Sequence, residues 1–137
     1  MGSRLLKQWL AFPLNAIDNI KKRLALVEHF KSKPDLVELV RTQLRKVGDL
    51  ERMTSRLAIG KLSPKEAVQL SRSLSEAQPL KDVLTKNKIT QGFAESIDNN
   101  APIIELIQKT LNEEAPVIVS KGNVIAEGIS QELDDLR

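Results

Sequence analysis

Cysteine and tyrosine are absent from this sequence, and histidine and tryptophan occur once each. Without cysteine there can be no disulfide, no thiolate metal ligand and no thiol nucleophile. That fits a reducing compartment, and a cytoplasmic location is expected. Aromatic residues make up only 3% of the chain, so the core has to be built from Leu, Ile and Val. No aromatic residues interleave with the basic ones as they do in a single-strand binding platform. No stretch approaches the roughly 18 apolar residues of a membrane span, and Leu5 to Leu14 is too broken by charge and proline for a signal peptide. No partner in the membrane is expected. The phosphate-cradling G-x-x-x-x-G-K-[ST], the dinucleotide G-x-G-x-x-G and the zinc-binding H-E-x-x-H are all missing, as is any Ser/His/Asp set. These absences predict no catalytic, cofactor-binding or metal-ligating residue in the 137 positions.

What is present is charge, unevenly placed. Residues 1–56 hold 12 Lys and Arg against 6 Asp and Glu, a balance of +6; residues 57–137 hold 9 against 12, a balance of −3, which together give the net +3. A basic half suits a polyanion or an acidic protein partner. The same Lys and Arg also read as the solvated faces of helices.

The stretch from Gly48 to Leu74 organises the rest. Asp49 is placed to cap a helix, and Leu50, Met53 and Leu57 follow on one face. This predicts that Leu57 is buried against the next helix. Gly60 stands where a helix end takes positive φ. Ser63-Pro64-Lys65-Glu66 then combines an N-cap, a proline at the first helical position and a capping-box glutamate. Ala67, Leu70, Leu74 and Ala77 form the stripe of that second helix.

On the N-terminal side, Ser3 to Ala11 reads as a short helix ended by Phe12-Pro13, with Leu5, Leu6, Trp9 and Leu10 apolar and Trp9 as a core anchor. Asn15 is expected to cap a second helix carrying Ile17, Ile20, Leu24 and Val27. His29 lies near its end; lacking a neighbouring nucleophile or ligand, it reads as a helix-surface histidine rather than a general base. Pro34 opens a third helix, with Asp35 and Glu38 early and Arg41, Arg45 and Lys46 late, in the order that complements the helix dipole. Leu36, Leu39, Val40, Leu44 and Val47 are its expected inner face. Beyond the organising pair, Gln78-Pro79 leads into a short helix through Leu84, residues 85–100 read as loop with room for one helical turn, and Pro102 starts a helix with Ile103, Leu106, Ile107 and Leu111 buried.

Near the C-terminus the period changes. Pro116-Val117-Ile118-Val119 and Val124-Ile125-Ala126 flank Ser120-Lys121-Gly122-Asn123, which predicts a short β-hairpin over about 116–127. Ser130 caps a final helix that reaches only to Arg137, below the length that holds alone; this is what a segment of a longer chain would show. The acidic pairs Glu113-Glu114 and Asp134-Asp135 do not converge on one cation, since neighbouring helix residues point about 100° apart. They read as solvated charge. Taken together, the pattern predicts a mainly α-helical bundle with one β-hairpin, and a non-enzymatic one.

Three blocks carry a resemblance. The first is Gly2-Ser3-Arg4-Leu5-Leu6-Lys7-Gln8-Trp9-Leu10 with Pro13-Leu14. The second is Gly48-Asp49-Leu50-Glu51-Arg52 with Arg56-Leu57-Ala58 and Ser63-Pro64. The third is Pro116-Val117 through Gly122, with Val124-Ile125, Gly128 and Glu132 to Arg137. In this order and spacing they resemble the core, or lever, domain of the MutS-type DNA mismatch repair proteins. Ile129 and Asn123 depart from the usual residues at their positions.

The resemblance implies that residues 1–137 are a single core-domain segment: helices to about 113, the hairpin at about 116–127 and the start of a lever helix at 130–137. It implies a structural and allosteric role between a DNA clamp and an ATPase part of the full protein. The full protein is implied to bind mismatched double-stranded DNA, to use ATP and Mg, to dimerise and to engage downstream repair factors. No family site residue maps onto this stretch, so the segment itself is expected to be neither an enzyme nor a cofactor binder. Against it stands the reading of an independent basic helical module for nucleic acid or an acidic partner.

Overall fold

A computed structural model describes residues 2–136; Met1 and Arg137, the ends of the expected segment, lie outside the described residues. The chain forms helices α1 Ser3–Ala11, α2 Ile17–Lys31, α3 Pro34–Lys46, α4 Leu50–Ala58, α5 Pro64–Ser75, α6 Ala77–Thr85, α7 Gln91–Glu95, α8 Ala101–Thr110 and α9 Gln131–Asp135. The centre is α5, which packs on α4, α6 and α8; α6 carries α7 and α3, and α3 carries α2.

Local sequence chemistry explains most of the boundaries. The Asp49 carboxylate accepts from the Arg52 N–H at 3.2 Å, and Gly60 ends the turn after α4 at φ +65°. The capping box at the start of α5 is complete in both directions. Pro34 and Pro102 occupy the first turns of α3 and α8, where a missing N–H costs nothing. The Ser130 side chain accepts from the Leu133 N–H. The cap of α2 differs from expectation: Ala16 holds the position, with no side-chain bond, and Asn15 lies one residue too early.

The core contains Met53, Val68, Leu70, Val83, Leu84, Ala94 and Ala115, together with three buried hydroxyl residues, Ser71, Ser73 and Thr90. Two of those hydroxyls fasten backbone. Ser73 Oγ accepts from the Gly48 N–H at 3.0 Å and donates to the Gln69 carbonyl at 2.8 Å, and Thr90 Oγ1 donates to the Leu84 carbonyl at 2.6 Å. Glycine at 48 suits this approach: a Cβ there would lie 3.0 Å from Ser73 Oγ and 3.1 Å from Met53 Cε, so both would have to give by a few tenths of an ångström.

Several expected faces are rotated. Leu57 is 54% exposed. The last turn of α4 meets α5 through Arg56, which lies three residues beyond Met53 on the same face and bonds Glu66 and the Lys61 carbonyl. Leu57, about 100° further round, therefore turns outward. In α8 and its C-cap the inner residues are Ile104, Ile107 and Leu111, while Ile103 and Leu106 face out. The apolar sector is wider than the contact, and α5 takes its other edge. Leu39 and Leu44 of α3 are likewise exposed, and Trp9 is 40% exposed rather than a core anchor.

The β-hairpin is not formed. Among the described residues there is no sheet, only one isolated antiparallel bridge between Leu111 and Ile125. Gly122 and Asn123 do adopt the expected positive φ, +72° and +56°. However, Val119–Lys121 closes into a 3₁₀ turn, so residues 117–119 cannot ladder. Val124–Ala126 pairs instead with the end of α8: the Asn112 N–H donates to the Val124 carbonyl and the Ala126 N–H to the Thr110 carbonyl, both at 2.9 Å. The turn chemistry was right and the partner strand was not.

Burial sets an order of mutational cost. Leu70, 4% exposed, should lose about 2–5 kcal/mol on Leu70→Ala, whereas Leu57→Ala should lose less than about 1 kcal/mol. Ser63→Ala should lose about 1 kcal/mol through the cap. Urea melts of the three variants that reversed the first two would place α4 on the wrong face of α5.

Candidate functional site

The groups considered for chemistry are dispersed. His29 is half-buried in the last turn of α2, its ring edge-on to Phe30 at 6.0 Å. The Glu113 carboxylate is paired with Arg72 at 2.9 Å. Asp134 Oδ2 accepts from the Gly128 N–H at 2.8 Å. Among the described residues, no three His, Cys, Asp or Glu side chains are grouped to hold a metal ion.

What does converge is the set of sequence blocks quoted above. Arg4 of the first block reaches Asp49 of the second with one guanidinium nitrogen, 2.6 and 2.8 Å from the two carboxylate oxygens, and lies 3.4 Å from Glu51. Within the second block, Arg56 is 3.1 Å from Glu66. Pro116 of the third block offers its carbonyl to the Lys65 N–H at 3.3 Å. Val117 then joins Arg56, Ser63, Lys65 and Gln69 around a cavity of about 280 Å³. Residues 45 or more apart in sequence thus meet at the beginnings of α4 and α5. Reading along the chain missed these pairings. The only hint was that Arg4, Asp49, Arg56, Ser63 and Pro116 all fell inside the blocks of resemblance.

The electrostatics follow from the geometry. The Asp49 carboxyl is held below its ordinary value of 3.8, first by the Arg52 N–H and then by the hydrogen bond and charge of Arg4. Glu66 is held below 4.5 by the Ser63 N–H and hydroxyl, aided by the charge of Arg56. A helix N-terminus can receive a phosphate, but those of α4 and α5 are already occupied by their own carboxylates. They do not fit a nucleotide.

A second surface is apolar. On α1, α2 and the link between them, Leu6, Leu10, Phe12, Ile17, Leu24 and Val27 are all more than half exposed. No helix among the described residues is long and apolar enough to cross a membrane.

The sequence profile described as MutS domain III matches residues 1–136. The chain belongs to the MutS domain III family. It is 42% identical over 139 residues to the DNA mismatch repair protein MutS of Flavobacterium johnsoniae and 40% identical to that of Bacteroides fragilis, in both cases covering all of this chain and 16% of the relative. It is 42% identical over 137 residues to the MutS of Thermosipho melanesiensis, covering 17% of it. The chain therefore spans about a sixth of the length of the curated relatives it matches. In this MutS domain III, the three blocks of resemblance are the residues that pin α1, α4, α5 and the loop after α8 to one another.

The lowered carboxyls give a signed pH dependence. A group whose pKa is lower folded than unfolded contributes stability that is fully present above its unfolded value and lost as pH falls through its folded one. The melting temperature should therefore hold above about pH 5 and fall progressively below the ordinary values of 3.8 and 4.5. Glu66→Gln should flatten that acid limb. An unchanged acid limb in Glu66→Gln would assign the dependence to other carboxylates.

Proposed function

We propose that this MutS domain III is a structural and load-transmitting segment of a DNA mismatch repair ATPase, joining the part that grips DNA to the part that turns over nucleotide. The observation that carries this reading is the family match along residues 1–136 in a chain one-sixth the length of its MutS relatives. Mismatched double-stranded DNA, a second MutS subunit and downstream repair factors are then partners of the longer protein in the cytoplasm. ATP and Mg belong to another of its domains. No catalytic or cofactor-binding residue is assigned to this segment. A packed body whose helix ends are tied to one another moves as a unit, which is what transmission between distant sites requires.

Positive charge in the N-terminal half supports the same reading over that of a separate polyanion-binding module. Arg4, Lys46 and Arg56 are paired with Asp49, Glu76 and Glu66, Lys33 donates to Asn87, and Arg23 stacks on Trp9. These five of the twelve Lys and Arg in residues 1–56 tie one part of the chain to another.

The isolated chain should neither hydrolyse ATP nor prefer a G·T-containing duplex to a matched one. What DNA binding it has should run through phosphates, with non-specific dissociation constants on the order of 10⁻⁴–10⁻⁶ M that weaken steeply with salt. Titration against paired matched and G·T duplexes at two salt concentrations checks this. A salt-insensitive preference for the mismatch would put recognition inside this segment and overturn the reading.

A further inference from the structure

Helix α1 has no extensive packing against another helix among the described residues. It buries none of its side chains, and Leu5, Leu6 and Leu10 are exposed. Two charged contacts reach it from other helices. One is the Arg4 fork on Asp49, with Glu51 beside it at 3.4 Å. The other is the Arg23 guanidinium, 3.6 Å from the centre of the Trp9 ring. Behind it, residues 13–16 are irregular backbone before α2 begins.

We propose that α1 is an electrostatic latch, closed on the N-terminus of α4 by Arg4 and Asp49, which opens when that pair is screened or neutralised while the α4–α5 body stays folded. Both partners are solvent-exposed, and exposed ion pairs are weak and salt-sensitive, which suits a contact that must open and close. Once open, α1 frays, because nine residues are too few to hold a helix alone. Asp49 has two tasks at one carboxylate: it anchors Arg4 and it caps α4 through the Arg52 N–H. A pull on α1 therefore arrives at the first turn of the helix that packs on α5. The use of this latch in signalling rests on the transmission reading above. The latch itself does not, and its test involves no DNA.

The chain provides its own reporter, since Trp9 is the sole tryptophan. Acrylamide quenching of Trp9 in the full chain is measured as NaCl rises from about 0.1 M to about 1 M, where the Debye length falls from about 10 Å to about 3 Å. The wild-type ring should become more accessible with salt, with the closed-to-open ratio falling up to about fivefold, the range of an exposed pair. Asp49→Asn separates the two tasks, because asparagine caps a helix as well as aspartate does but gives Arg4 no charge. It should raise quenching at low salt and weaken the salt response, and adding Arg4→Gln should remove only what pairing Arg4 keeps with Glu51, 3.4 Å away. The thermal transition followed at 222 nm should stay in place. Trp9 quenching that ignores both salt and Asp49→Asn would show α1 held by packing. A 222 nm transition that drops in step with the quenching change would show Asp49 acting through the cap. Either result overturns the latch.

Discussion

The beginning of α5 is the constraint on which the rest depends. A helix starts with N–H groups that no earlier turn can accept, and burying them unpaired is costly. Here each is accounted for. The Ser63 N–H donates to Glu66 Oε2, Pro64 has none to place, the Lys65 N–H donates to the Pro116 carbonyl, and the Glu66 N–H donates to Ser63 Oγ. Three of these solutions are local and one is imported from a loop 51 residues further along. Because Pro116 is recruited for this, the chain after α8 must run beside α5. That in turn puts Ala115 in the core and carries the run Val117–Val119 out along the rim. Glu66, fixed by the box, then draws Arg56, which sets the face that α4 shows to α5.

This division also decides what could be read from the sequence. Features settled within four residues were legible: the Ser63–Glu66 box, Asp49 as a cap, Gly60, Pro34 and the Gly122-Asn123 turn each depend on their neighbours alone. Features settled by competition between distant groups were not. The run 117–119 has the composition of a strand, but the proline before it gives its carbonyl to Lys65 and the 3₁₀ turn consumes its end, so Val124–Ala126 finds its partner at Thr110–Asn112. The apolar stripe through Leu57 was a fair reading of a helix wheel. It failed because a charged residue with a fixed carboxylate partner outcompeted a leucine for the inner face. Of the candidate site, its members were visible as fragments of a resemblance, while the contacts between them, Arg4 with Asp49 and Lys65 with Pro116, span 45 and 51 positions and leave no periodic trace.

The same competition governs the charges. Positive charge gathered at one end of a sequence suggests an external anion, yet here Arg4, Lys46 and Arg56 face carboxylates of their own chain. The internal partners lie at helix starts or at the α5–α6 junction, where Glu76 receives Lys46 at 3.4 Å. Charge pairing thus joins the ends of helices whose middles are joined by apolar contact.

Two kinds of connection follow, with different mechanical consequences. Between α5 and its neighbours, buried side chains and satisfied backbone ends leave little room for relative movement, since a close-packed core shifts between discrete arrangements rather than deforming smoothly. Between α1 and its neighbours the connection is the exposed Arg4 pair with Asp49 on the α4 side and the Arg23 guanidinium of α2 stacked on Trp9, and α1 buries none of its side chains. The transmitting role proposed for this domain would need both: a part stiff enough to carry displacement and a junction soft enough to be moved. In this chain, stiffness resides where N–H groups and methyl groups are enclosed. Softness resides where the contacts are exposed charges and one stacked guanidinium.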